Sequence, residues 1–172
     1  MKILLILIGF LTLSAIAYSA EISVPIYAVS KEGVGKQIGT VELSDSKYGL
    51  LVKPKLSELP PGIHGFHVHE HANCAPAEKD GQMSAANAAG SHFDTEKGRK
   101  HLGPYRDGHL GDLPVLSVES DGRATIPVVA PRLKVADLHG KSLMVHHGGD
   151  NYDYQPDPLG GGGGRIACGP IK

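Results

Sequence analysis

The chain carries no cluster of lysine and arginine: 17 basic residues are spread against 18 acidic ones, for a formal charge of -1. Binding a phosphate backbone needs clustered cations, so this balance argues against a nucleic-acid partner. Tryptophan is absent and phenylalanine occurs three times. No convincing amphipathic helix can be found, and neither an internal repeat nor a linker divides the chain. With 172 residues it is long enough to bury one core and too short for two domains. Two cysteines, taken alone, leave the redox compartment open. Against these shortages stand 23 glycines, 12 prolines and 10 histidines. That much Gly and Pro cuts a chain into short strands and turns. Ten histidines exceed what packing calls for, and imidazole is the commonest metal-ligating side chain.

Met1-Lys2 precedes an apolar stretch from Ile3 to Ala17, followed by small residues around Ala17-Tyr18-Ser19-Ala20 and the acidic Glu21. One positive charge, a short apolar run and small residues at the -3 and -1 positions describe a secretory signal peptide over 1–19. Cleavage after Ser19 fits best, with Ala17 and Ala20 as alternatives. The apolar run is shorter than the roughly 20 residues of a membrane span. The mature domain, 20–172, is therefore expected to be free of a membrane anchor and to enter a compartment where cysteines can pair. Neither Cys74 nor Cys168 lies near the cleavage region, which excludes a lipid-modified amino-terminal cysteine.

Beyond Glu21 the apolar residues alternate or cluster in short runs bounded by Gly, Pro, Asp or Ser, as in strands. The expected strands are Ile22–Val29, Gln37–Leu43, Gly49–Lys53, Ile63–His69, Val115–Glu119, Ala124–Ala130, Ser142–His147 and Arg165–Cys168. The fold class expected is all-β, an eight-stranded antiparallel Greek-key sandwich or flattened barrel. Ser120-Asp121-Gly122-Arg123 reads as a hairpin turn with Gly122 at positive φ. Two segments, His71–Pro114 and Gly148–Gly164, are too long for plain connections and are expected to be functional loops. The glycine run 160–164 is expected to let the backbone pass close to a neighbouring surface.

In Gly65-Phe66-His67-Val68-His69 the alternation places His67 and His69 on one strand face and Phe66 and Val68 on the other. Downstream follow His92, His101, His109 and Asp112. His109 and Asp112, three residues apart in a short loop, can aim one imidazole and one carboxylate at the same ion. Three histidines and a carboxylate form a tetrahedral N/O set suited to zinc. His146, ending a strand, adds a further nitrogen. Seven ligand candidates are too many for one ion and reasonable for two.

Five segments taken together, GFHVHE (65–70), AGSHFD (89–94), GHLGDLP (108–114), LMVHHGGDN (143–151) and LGGGGGRIACG (159–169), resemble the copper,zinc superoxide dismutases, most closely their secreted bacterial branch. The match runs in order through essentially the whole mature chain. The resemblance implies that His67, His69, His92 and His146 bind copper and that His92, His101, His109 and Asp112 bind zinc. His92 would then be shared by both metals. It implies that Asp150 links ligands of the two sites, that Cys74 and Cys168 form an intrachain disulfide, and that Arg165 attracts an anionic substrate. The implied reaction converts superoxide to dioxygen and hydrogen peroxide in a bacterial periplasm, with His92 and Arg165 as catalytic residues. Lys79 is a further candidate for steering the anion. Subunits could stand alone or pair as a homodimer.

Some positions depart from the family pattern. His71 stands where Asn is usual, Ser91 replaces a Gly or Pro, and Pro170 takes an aliphatic position, so the last strand should end there or lie on an edge. His64, His71, His139 and His147 fall outside the ligand set and read as ordinary residues. A non-catalytic copper/zinc carrier is the alternative function; it would need neither Arg165, nor Asp112, nor a shared His92. A zinc hydrolase would need an open zinc position, and four protein ligands leave none.

Overall fold

The computed structural model describes residues 21–96 and 99–172. The expected signal segment, 1–19, lies outside the described residues. Eleven strands are seen among the described residues: β1 (Glu21–Ser30), β2 (Gly33–Ser46), β3 (Gly49–Leu56), β4 (Gly62–His64), β5 (Phe66–His69), β6 (Ala77–Lys79), β7 (Gln82–Ser84), β8 (Leu116–Val118), β9 (Val128–Ala130), β10 (Ser142–His146) and β11 (Arg165–Pro170). The only helical turns described are short 3-10 segments at Asn87–Ala89, Val135–Leu138 and Pro158–Gly161. None is long and apolar enough to cross a membrane.

Seven strands form one antiparallel sheet in the order β5-β10-β11-β1-β2-β3-β9. The sheet curls, and β4 pairs with β8 beside it. The inward face follows from the period of two along each strand. In β3, Leu50, Val52 and Leu56 are buried while Lys55 faces solvent. Val24, Ile26, Val41 and Leu43 of β1 and β2 meet them, and Phe66, Val68, Leu143 and Val145 extend the same core. Aliphatic burial at roughly 25 cal/mol per Å² supplies the driving force.

The eight expected strands are all present, with altered limits. Ile63–His69 is broken at Gly65 into β4 and β5, and Ala124–Ala130 contracts to β9. The turn expected at 120–123 is found, with Gly122 at φ 82° and Gly122 N donating to Glu119 O at 2.9 Å. β11 ends at Pro170, as the missing amide hydrogen requires. The hairpin β6–β7 inside the long first loop was not expected. Its strands have three residues each, too few to show an alternating pattern.

Edge strand β5 is not left open. Val68 N donates to Gly111 O and Phe93 N to Val68 O, both at 2.8 Å. These bonds put Asp112 opposite His67 and His92 opposite His69. Loop backbone thus covers the sheet edge and delivers two further polar side chains to the strand that carries His67 and His69.

Cys74 and Cys168 are bonded, tying the first long loop to β11 across 94 residues of sequence. Closing so large a loop restricts the unfolded chain, and the double substitution Cys74→Ser, Cys168→Ser is expected to lower stability by about 2–5 kcal/mol. Urea unfolding of the two proteins checks this; equal midpoints would contradict it.

Candidate metal centre

His67 and His69 enter the site from β5, His146 from the end of β10, and His92, His101, His109 and Asp112 from the loop that zips onto β5. The strand alternation accounts for His67 and His69 sharing one face, but the loops bury the side chains on both faces: Phe66, His67, Val68 and His69 are all at most 1% exposed.

The ligand-type atoms form two groups, each within 4.8 Å. The first holds His67, His69, His92 and His146. In it His69 Nε2 faces His146 Nε2 at 3.3 Å. The second holds His67, His92, His101 and Asp112. Here Asp112 Oδ1 lies 3.1 Å from His92 Nδ1, 3.0 Å from His101 Nδ1 and 3.6 Å from His109 Nδ1. His109 lies outside the group of four but turns its Nδ1 toward the same oxygen. His67 is near both groups, but its Nε2 is engaged by Asp150 Oδ2 at 2.8 Å, leaving Nδ1. His92 has Nδ1 turned to Asp112, which leaves its Nε2.

Asp150 joins the two groups. Its Oδ1 meets His101 Nε2 at 2.7 Å while Oδ2 meets His67 Nε2, and its side chain is fully covered. The glycine run makes room for it. A Cβ on Gly160, at φ 73°, would lie 2.0 Å from Asp150 Oδ1, so only glycine fits.

The residues fit a pair of metal ions. His67 Nδ1 is buried without a hydrogen-bond partner, a cost that proteins avoid unless another ligand satisfies the atom, and the Nδ1 atoms of His101 and His109 crowd the same Asp112 oxygen without a well-formed hydrogen bond. Four imidazoles suit a redox-active nitrogen site, and three imidazoles with one carboxylate suit a tetrahedral ion.

Burial, followed by repulsion from neighbouring rings, holds His67 and His69 well below the ordinary imidazole value, and takes His146 down to about 4. His92 is lowered too, again by burial, with Asp112 opposing. For His101, burial is outweighed by the carboxylates of Asp112 and Asp150 on either side of its ring, and its value rises to about 9. Burial would raise Asp112, but the surrounding histidines hold it far below the usual carboxylate range.

A cleft of about 540 Å³ opens onto His69, His92 and His146 and is also lined by Arg165, Lys79 and Tyr154. His67 is sealed beneath it. Arg165 donates through Nη1 to Ala86 O at 2.7 Å and through Nη2 to Gly90 O at 2.6 Å. Its guanidinium is thereby fixed at the cleft by the loop that the disulfide anchors. Lys79 reaches the same cleft from the β6–β7 hairpin.

Of the four other histidines, His71, His139 and His147 are exposed. His64 is not ordinary: it is buried, with Nδ1 2.8 Å from His146 O and Nε2 2.8 Å from Pro60 O. It braces the main chain of a site residue. Its position in β4, two residues from β5 and outside the His-x-His pair, carried no signal for this.

A curled antiparallel sheet that brings together two histidine-rich groups, the first of them opening onto a cleft, carries the donor sets of a metal-binding protein. Residues 37–171 match the family described as copper/zinc superoxide dismutase (SODC). The chain is 49% identical to the Cu-Zn superoxide dismutase of Brucella abortus biovar 1, with 100% of each covered. It is 53% identical to that of Escherichia coli, with 91% of each covered. The solved Brucella abortus enzyme superposes with a TM-score of 0.87 at 51% identity, covering 89% of this chain and 100% of the other. The monomeric enzyme of Salmonella enterica superposes with a TM-score of 0.80 at 55% identity, over 89% and 100%. The chain belongs to the copper/zinc superoxide dismutase family.

The pKa pattern sets how the metal-free protein responds to pH. His101 binds its proton more tightly folded, so its contribution is full below about 6.5 and is lost as pH rises through about 9. His67, His69, His92 and His146 have depressed folded values, so stability falls as pH drops below 6.5, for His146 down to about 4. The melting temperature of the metal-free protein is expected to peak near neutral pH and fall on both sides. Asp150→Asn should flatten the alkaline fall. A steady rise of melting temperature from pH 5 to 9 would contradict this.

Proposed function

We propose that the chain dismutates superoxide to dioxygen and hydrogen peroxide, with copper held by His67, His69, His92 and His146 and zinc by His92, His101, His109 and Asp112. The observation that carries this reading is the convergence of both groups on His92, whose Nδ1 faces Asp112 while its ring also joins the cleft-lining group. When bound, copper supplies the one-electron exchange with superoxide, and zinc supplies a fixed charge that keeps the shared imidazole in place.

The chain's own residues do the rest. Arg165 draws the anion into the cleft and presents planar donors beside the open side of the first group. Lys79 adds a second cation at the rim. His92 Nε2 accepts a proton and passes it to the reduced oxygen species, one of the two protons that hydrogen peroxide requires. Asp150 holds the rings of His67 and His101 through their remote nitrogens, the common way of orienting a ligating imidazole. Burial holds His67 well below the ordinary imidazole value. A metal carrier would have no use for a guanidinium locked over the open side of the site, and the reading as a carrier is not favoured.

Residues 1–19 act as the signal peptide in this reading, and the mature domain works in the periplasm, where the disulfide is stable. Amino-terminal sequencing of the protein from a periplasmic fraction is expected to start at Ala20; a cytoplasmic protein beginning at Met1 would overturn the localisation.

Protein loaded with copper and zinc is expected to suppress superoxide-driven dye reduction, and metal binding without suppression would favour the carrier. Arg165→Ala is expected to lower kcat/KM by about 10-fold or more at low ionic strength, with less effect at high salt and with metal content intact. Unchanged kcat/KM at low salt would remove Arg165 from the reaction.

A further inference from the structure

The segment 99–111 has no strand or helix of its own among its described residues, yet it must hold His101 and His109 in a fixed relation to Asp112. Part of the order is internal. Leu102 N and Gly103 N donate to Asp112 Oδ2 at 3.3 and 3.1 Å, and His109 N donates to Lys100 O at 3.0 Å. The rest comes from outside. Arg132, half-buried just after β9, donates through Nε to Pro104 O at 3.2 Å and through Nη1 to Gly108 O at 3.0 Å. Its Nη2 reaches Gly103 O at 3.4 Å and His109 O at 2.6 Å.

One guanidinium therefore gathers four carbonyls from both limbs of the turn 103–109. The shortest of the four bonds is to the main chain of His109 itself. The donor is anchored on the barrel: the adjoining Leu133 and Ala130 are buried, and Leu133 N turns back to Ala130 O. Charge-assisted bonds to a cation are stronger than neutral ones. The fixed fork of Arg can span acceptors that the single ammonium of Lys cannot. We propose that Arg132 is a positioning residue for zinc: by clasping the carbonyls of Gly103, Pro104, Gly108 and His109 it holds the loop in the conformation that brings His109 and His101 to Asp112.

The proposal rests on the zinc set named above, and its test separates the two. Metal-free full-length mature protein is titrated with zinc against a chelator and with copper, and its cobalt(II) derivative gives the absorption spectrum of the same set. Arg132→Ala is expected to lower zinc affinity about 10- to 100-fold, the effect typical of groups that orient ligands, and to alter the cobalt(II) spectrum while copper affinity stays unchanged. Arg132→Lys is expected not to restore zinc affinity, and it carries the same test if the alanine variant does not fold. Unchanged zinc affinity, rescue by Lys, or equal losses for zinc and copper would each overturn the role of Arg132. Tighter zinc binding would do the same, showing that the guanidinium acts only as a repelling charge. Wild-type protein that binds no cobalt(II) at these residues would overturn the reading of the zinc set itself.

Discussion

Both oxygens of Asp150 are committed, one to His101 and one to His67, and the remainder of the centre depends on that double engagement. A carboxylate with no exposed side-chain surface is costly unless each oxygen is met. Here the partners come from opposite groups: His67 from β5 and His101 from the loop. The glycine at 160 lets the chain approach closely, and Tyr152 N donates back to Oδ1 at 2.7 Å. Tyr152 in turn accepts Val115 N on its hydroxyl at 2.9 Å, and Arg106 reaches its carbonyl. One buried anion thus joins the loop after β10 to the loop before β8, and the two histidine groups to each other.

Much of this was legible in the residues because strands and strong motifs announce themselves locally. The His-x-His pair on β5 followed from alternation, and the turn at Gly122 from its residue types. The glycine run proved to be a place of close approach. The geometry of the second group was less legible, since its ligands sit on irregular backbone where spacing says little about direction. His109 and Asp112 are three residues apart, yet what brings His101 to the same carboxylate is a set of main-chain bonds that no residue type signals. Arg132 shows the limit most clearly. It lies 20 residues or more from every ligand except His146, in a segment with no motif, and its partners are carbonyl groups that any residue could offer. His64 was hidden in the same way, because both of its partners are main-chain oxygens.

The electrostatics of the centre and of its approach are organised on different scales. The whole chain is close to neutral, so long-range attraction of an anion is weak. Inside the centre, histidine pKa values are driven apart by position: His101, between two carboxylates, is raised to about 9, while burial and neighbouring rings lower those of His67, His69 and His146. At the mouth, Arg165 and Lys79 supply local positive charge. Arg165 gives two of its donors to Ala86 and Gly90, which fixes its orientation at the cost of donors that could have met substrate.

The disulfide explains why that cost is tolerable. Ala86 and Gly90 lie on the loop that Cys74 binds to Cys168, and Cys168 is three residues beyond Arg165 on the same strand. The acceptors of the arginine and the arginine itself are therefore fastened to one covalent frame. The β6–β7 hairpin that carries Lys79 lies on the same loop, with Asn87 donating to Glu78 O at 3.0 Å. Gly90 O also meets His69 Nδ1 at 3.0 Å, so a single carbonyl holds both the guanidinium of Arg165 and a ring of the first group. A loop free to move would separate these functions. Pinned at its start by the disulfide and at Ser91–Phe93 by the edge of β5, it keeps Arg165 and the histidines of the first group in register.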